Sequence, residues 1–509
     1  MSKFWAVFLL CGLLTPSQGL LGNIPLVSRL DKDVVENAIT GSLTKGDFLQ
    51  GLLGSLVGGN QLSSLIGGLL GGDGLLGGDG LLGGGLLGGD GLLGGGLLGG
   101  DGLLGGGLLG KQGLLGAVQG LTGLKIVNIT LPKITLRFLP GIGLQLNLYT
   151  QLTIDGGSAA GGLLRVQVEA NIMARARLVQ DASGALKLVI EDCRTLLGDI
   201  NIRVGPKLPV LDKALKGVLG SVLPKLLCPV VDTALGVVNT LLGTVTSVLP
   251  LGALGNLQYT LGSLPIVGNK SIQLDLNLLV RDAEGNVVHQ GLGQVAPVSL
   301  PPAASGVSQL GLSQTALSAV LGLVRSTGAF DADITAAAVP ASIPLSTSAL
   351  LLLFPQLSTV IPESLPLALQ VRSTGAPVVS LQNGKATARV GASIAVLAQQ
   401  PGSPPQPLFT LDADINLNVA TSISGNKLQT TLAVDSVTLR LAGSRIGNIN
   451  VSLLERWVKD VLEAAYLPAI NNAVRVGIPL PNLFNANFEG ADVDVVDNAF
   501  MISQTRRTS

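Results

Sequence analysis

Aromatic residues make up 3% of this 509-residue chain, charged residues 13%, and histidine occurs once. Each scarcity excludes a class of function. Thirty-two Lys and Arg balance thirty-two Asp and Glu, so the concentrated positive charge that binds nucleic acid is missing. A Ser-His-Asp or Cys-His site would have to use His289. That residue sits in NVVHQG beside an expected hairpin, with no G-x-S-x-G motif near it, and reads as an exposed turn residue. One histidine and so few cysteines cannot supply a zinc ligand set. The carboxylate pairs Glu191/Asp192, Asp331/Asp333, Asp412/Asp414 and Asp492/Asp494 lie on expected strands whose other face is apolar, so they read as solvated faces. Glycine strings within 67–110 neither follow a strand and open a helix nor carry the Lys-Ser/Thr of a P-loop. The chain reads as a non-enzyme that needs no cofactor and no metal.

What is abundant is aliphatic. MSKFWAVFLLCGLLTPSQG has one Lys, an apolar run from Phe4 to Leu14 and a small-residue end, the pattern of a secretory signal peptide over 1–19. The protein is therefore expected to be secreted and extracellular. No other uninterrupted apolar run approaches the ~20 residues that span a bilayer, so no transmembrane segment is expected. Cys193 and Cys228 remain after Cys11 leaves with the signal, an even pair in an oxidising compartment, which reads as one disulfide. Asn128, Asn269 and Asn450 head sequons and are candidate N-glycosylation sites.

The periodicity of the apolar residues divides the chain. Ser28 to Leu53 carries Leu30, Val34, Val35, Ala38, Ile39 and Leu43 at helical spacing, with Ser28 as the expected N-cap. From Ile126 the period falls to two: GLQLNLYTQLTI, RVQVEANIMARARL and SIQLDLNLLV predict antiparallel strands with one apolar face. Residues 207–249 are helical in spacing, and Pro209, Pro224 and Pro229 are expected to break them into pieces. PVSLPPAAS (297–305) looks like a linker. Beyond it, LGLSQTALSAVLGLVRSTG predicts a helix, 385–398, 408–423 and 427–441 predict strands with a turn at 424–426, and a long helix begins near Ser452. Leu453, Leu454, Trp457, Val461, Leu462 and Ala465 are expected to form its buried face. Helices paired with long amphipathic strands, twice over, make an α+β chain.

From Leu75 to Gly107 the unit LLGGDGLLGGG occurs three times. Six of every eleven residues are glycine, each disfavouring helix by ~1 kcal/mol relative to alanine. The stretch reads as a low-complexity loop insertion, since loop closure costs only ~0.6 kcal/mol per doubling of length.

LKIVNITLPKITLRFLPGIGLQLNLYTQLTI (124–154), LVIEDC (188–193), LPKLLCPVVD (223–232) and SRIGNINVSLLERWVKDVLEAAYLPAINNAVRVGIPLP (444–481) resemble the bactericidal/permeability-increasing protein (BPI) superfamily, and more closely its long PLUNC branch, BPI fold-containing family B. The resemblance implies two tandem BPI-like domains, each a twisted antiparallel sheet wrapped around a long helix, joined by a central sheet in an elongated shape. The expected division is 1–19 signal peptide, 20–56 N-terminal helix of domain 1, 57–116 insertion, 117–300 the remainder of domain 1 with part of the central sheet, and 301–509 domain 2. The family's disulfide ties a strand to the long helix of the first domain, matching Cys193 and Cys228. The expected apolar pocket between them is lined by Leu186, Leu188, Ile190, Leu223, Leu226 and Leu227. The partners implied are lipids or other small hydrophobic ligands, odorants among them, in mucosal defence or carriage. Lipopolysaccharide is implied only weakly, because residues 112–300 hold 15 Lys and Arg against 11 Asp and Glu, little steering for a polyanion. A surface-active structural protein of mucosal fluid, or a lipopolysaccharide-neutralising antimicrobial, is the alternative.

Overall fold

The computed structural model describes residues 23–44, 48–70, 123–141, 143–157, 163–181, 185–204, 209–288, 297–302, 304–361, 363–382, 384–484 and 488–505. The expected signal peptide, the eleven-residue repeat and His289 lie outside them. Two compact units emerge: Met1–Asp31 with Thr244–Pro265 and Lys270–Ser509, and Lys32–Gly243 with Ile266–Asn269.

The second of these holds helices α1 (Lys32–Thr44), α2 (Phe48–Gly54) and α3 (Gln61–Leu70), strands β2 (Lys125–Ile129), β3 (Lys133–Leu139), β4 (Gly143–Gly157), β5 (Leu163–Gln180) and β6 (Leu186–Val204), and the long helix α4 (Pro209–Gly243). Its antiparallel sheet runs β2-β4-β5-β6, with β3 also on β4. Alternation works as expected here: Leu144, Leu146, Leu148 and Leu152 of β4, and Val166, Val168, Ala170 and Ile172 of β5, are all buried. They form the sheet's inner face, and α4 packs chiefly on its β6 side. Residues Leu62 and Ile66 of α3, inside the stretch 57–116, are buried as well.

The expected breaks in α4 do not occur. It is one 35-residue helix with Pro224 and Pro229 inside it. Its buried residues recur at three- and four-residue steps from Leu215 to Leu242, and both prolines fall outside that stripe, half-buried or exposed. The carbonyls they leave unpaired therefore face outward, where burial of the stripe outweighs the lost ladder bonds. The span Leu215–Gly243 is also long and apolar enough to cross a membrane, with mean hydropathy 1.6 and half of that window buried. The gaps at Lys225 and Asp232 hid that length from the linear reading.

The other unit contains two sheets. One runs β19-β20-β11-β1-β10-β8-β7, from β1 (Ile24–Asp31), β7 (Ser247–Pro250), β8 (Gly255–Leu261), β10 (Ser271–Asp282), β11 (Val307–Ser313), β19 (Asp492–Val496) and β20 (Ala499–Thr505); the two-residue strand β9 is Ile266–Val267. Here a helix expectation fails. Ser28 caps nothing; it lies buried in β1, its hydroxyl donating to the Gln309 carbonyl at 3.1 Å. Ile24, Leu26, Ser28 and Leu30 alternate inward, and pairing on both sides, with β10 and β11, outweighs the helical spacing that begins at Leu30. The supposed linker packs too. Val298 and Leu300 are buried, so close to Gly311 that a Cβ there would meet them at 2.6 and 2.9 Å.

The third sheet runs β12-β13-β15-β16-β17-β18, with β14 also on β15. Its strands are β12 (Ala332–Thr335), β13 (Leu367–Ser373), β14 (Val378–Gln382), β15 (Lys385–Ala398), β16 (Gln406–Ser424), β17 (Lys427–Ser444) and β18 (Ile478–Pro479). Gly425 and Asn426, at φ 57° and 55°, make the two-residue turn between β16 and β17, as the SGN motif predicts. Helix α5 (Gln314–Ser326), capped by Ser313, and a short helix α6 (Thr347–Leu351) join α7 (Glu455–Val461) and α8 (Leu467–Val474), which a π turn at Leu462–Tyr466 connects. The last run buries Leu454, Val458, Val461, Leu462, Tyr466 and Ile470. Of the other residues expected on that face, Trp457 and Ala465 are half-buried, and Leu453 is 48% exposed, because regular α-helix starts after it.

Candidate functional site

The apolar seams between the long helices and the curved sheets are the sites that this architecture builds. In the Lys32–Gly243 unit, two attachments hold α4 on β6. Cys193 and Cys228 form a disulfide with Cα atoms 6.0 Å apart. At the other, Asn239 acts as a strand partner: its Oδ1 accepts from the Leu188 N–H at 2.6 Å and its Nδ2 donates to the Leu188 carbonyl at 3.2 Å. Five residues of strand (Leu188 to Cys193) thus match eleven of helix (Cys228 to Asn239), roughly 16 Å either way. Strand and helix run antiparallel.

That geometry settles where the expected pocket residues lie. Leu186, Leu188, Leu223, Leu226 and Leu227 are all buried and Ile190 is half-buried. Leu186 and Leu188 sit at the Asn239 end of the helix, whereas Leu223, Leu226 and Leu227 sit by the disulfide. The two groups line the same seam at different levels and do not face each other. Strict alternation from Leu186 would also point Cys193 away from the helix. A bulge corrects this: Ala174 pairs with Cys193 and Ala176 with Ile190, with one extra residue on β6 between them. Both alanines are buried, so both partners turn inward.

The sequence reading missed the equivalent seam in the other unit. Asn471 of α8 repeats the Asn239 arrangement, accepting from the Leu432 N–H at 2.8 Å and donating to its carbonyl at 2.9 Å. Beside it, Leu317, Val320, Leu321 and Val324 of α5 meet Thr430, Val474, Val476, Gly477 and Ile478 around a cavity of about 10 Å³, room for about one water molecule. Two buried tyrosines brace the framework. Tyr466 donates to the Phe330 carbonyl and Tyr259 to the Pro479 carbonyl, each at 2.9 Å. Burial raises both phenol pKa values above the usual one.

The polar side chains make ordinary surface pairs. Arg177 holds Glu191 at 2.7 Å, Arg194 holds Asp192 at 2.8 Å and Arg372 holds Asp333 at 2.7 Å. Asp414 lies between Arg389 and Arg440. The Arg165 guanidinium, bonded to Asp155, lowers that carboxyl's pKa. Among the described residues no three His, Cys, Asp or Glu side chains converge as a metal site would require. A cleft of about 310 Å³ in the larger unit is lined by Arg29, Asp31, Lys270 and Leu300 among others. There Arg29 donates to the Pro301 carbonyl at 2.6 Å, and Asp31 accepts from the Gly306 N–H, so these two groups serve the fold.

The model of the LBP / BPI / CETP family C-terminal domain matches residues 269–505, and that of the N-terminal domain matches 102–244. BPI fold-containing family B member 3 of Mus musculus is 38% identical over 499 residues, 98% of each chain. Member 4 of Homo sapiens is 42% identical over 404 residues, 76% of this chain and 64% of that relative. Member 6 of Homo sapiens is 32% identical over 76% of this chain and 86% of its own length. The crystal structure of lipopolysaccharide binding protein covers 95% of this chain and 99% of that one at 17% identity and TM-score 0.49.

Proposed function

For a chain that belongs to the LBP / BPI / CETP family, within BPI fold-containing family B, we propose a lipid-binding role in innate defence. In this reading the signal peptide over 1–19 directs secretion, and the chain is not an enzyme. The observation that carries the proposal is the pair of helix–sheet seams, walled by aliphatic side chains and crossed by few polar groups. A ligand with an acyl or terpenoid body gains ~25 cal/mol per Å² of apolar surface that it buries there. Uptake in the α5–α8 seam requires those helices to part, because the cavity between them holds about one water. The ligand class is neutral lipids or small hydrophobic molecules such as odorants. The balanced charge gives lipopolysaccharide phosphates little to bind.

The test is mass spectrometry of organic extracts from the natively purified protein. Near-stoichiometric lipid or other apolar small molecules is the expected outcome. Extracts that match a buffer control, together with no uptake of a fluorescent fatty acid, would sink the reading.

A further inference from the structure

Two stretches at one end of the seven-stranded sheet carry no charge. Residues 334–362 contain no Asp, Glu, Lys, Arg or His, and 446–454 contain none either. The fold brings the two stretches together. Gln356 Nε2 donates to the Asn448 carbonyl at 3.4 Å, and Trp457 Nε1 donates to the Pro344 carbonyl at 3.2 Å.

The segment from Ser346 to Leu367 is firmly built. Thr347 closes its base, its hydroxyl donating to the Glu363 carbonyl at 3.0 Å and accepting from the Leu365 N–H at 2.8 Å. Leu350, Phe354, Leu357 and Ile361 anchor it from below, all buried. Above those anchors Leu352 is 86% exposed and Val360 37%, and Leu453 of the adjoining segment is 48% exposed. Aliphatic side chains are thus held outward on an ordered support, among exposed Ala, Ser, Thr and Pro.

We propose that these uncharged stretches dock on the surface of a zwitterionic phospholipid membrane, with Leu352, Val360 and Leu453 entering the interface. The proposal goes beyond the seams, which hold single molecules; docking concerns the surface from which such molecules come. Charge selects the occupant. An anionic surface would be met by lysines and arginines, and the ionisable residues that border the two stretches make no basic patch: Asp333 is paired with Arg372, and Glu363 and Glu455 offset Arg445 and Arg456. A zwitterionic interface requires no counter-charge and imposes no desolvation of ions. A second copy of the chain is a poor fit, because stable protein interfaces engage ~20–30 residues a side, whereas three large apolar side chains stand out here.

The test is flotation with phosphatidylcholine vesicles. Asn450 heads a sequon three residues from Leu453, so all proteins carry Ser452→Ala. This removes the sequon and keeps the backbone N–H that caps onto Asn450 Oδ1. The parent should float with the vesicles, with binding little changed between low and high salt. Leu352→Asp with Leu453→Asp should weaken binding at least tenfold, while Leu131→Asp, at a 66% exposed leucine of the other unit, should leave it unchanged. Lipid recovered by extraction should be the same in all three, which separates this proposal from the seam reading. No flotation of the parent, binding retained by the double variant, or binding confined to anionic vesicles would overturn it. So would a concentration-dependent dimer that the double variant abolishes without any effect on vesicles.

Discussion

Single side chains do much of the joining between helix and sheet. Asn239 and Asn471 each satisfy both backbone groups of one strand residue. Removing either leaves a buried N–H and C=O without partners, at a cost of about 1–3 kcal/mol. Asn239→Ala and Asn471→Ala should each lower the urea midpoint by a comparable amount. Asn→Asp, which keeps the acceptor and loses the donor, should fall between wild type and Ala. Nothing in the sequence distinguished these two asparagines, since their role exists only once strand and helix are adjacent. Tyrosine offers a pH test. The chain has three, and burial raises the pKa of Tyr259 and Tyr466 above the usual value of about 10. A raised folded-state pKa means that the stability from these phenols is present below pH ~10 and lost as pH climbs past it. Absorbance at 295 nm should therefore show one tyrosine, Tyr149, ionising in the folded protein. Its own pKa is raised by its hydrogen bond to Glu169. The other two should appear only with alkaline unfolding; three ionisations before any loss of helix signal would refute the burial.

Among the elements, α4 shows how tertiary packing overrides local propensity. A proline inside a helix costs ~3 kcal/mol relative to alanine, offset by about 1 kcal/mol of reduced unfolded-state entropy. Pro224 lies off the packed stripe, so Pro224→Ala should raise the unfolding free energy by about 1–2 kcal/mol, read from denaturant melts. A loss instead would mean that its ring is needed at the seam. The bridge at Cys228 closes a 35-residue loop, which the chain-entropy estimate puts at ~3–4 kcal/mol. Cys193→Ala with Cys228→Ala should lower the midpoint accordingly, with far-UV circular dichroism little changed. The long strands, the SGN turn and the bridged cysteines were legible from period, turn chemistry and parity. The continuity of α4, the strand at Ser28 and the inward turn of Cys193 were not. Each depends on a partner far along the chain: the sheet under α4, β10 and β11 flanking β1, and the bulge opposite Ala174.

Over the molecule as a whole, sequence order and structural order diverge. β1 comes from the start of the chain, yet it lies between β10 and β11, with β20 next to β11. Cutting the chain at residue 300 therefore leaves both pieces with an unpaired strand edge. Fragment 301–509 alone should expose β11 and aggregate, and co-expression with 20–300 should restore a soluble complex; a monomeric, cooperatively folding 301–509 would contradict the shared sheet. Finally, the two seams differ in their freedom of motion. A rod clamped at two points cannot swivel, and α4 is clamped at Cys228 and again at Asn239. α8 continues through the π turn into α7, and that run is tied to β17 by hydrogen bonds alone, from Asn471 to Leu432 and from Lys459 to the Asp435 carbonyl at 3.0 Å. If both seams take up ligand as proposed, exchange should be slow in the stapled seam until a reductant is added, and quicker and indifferent to reductant in the one held by hydrogen bonds: two compartments with separate clocks in one chain.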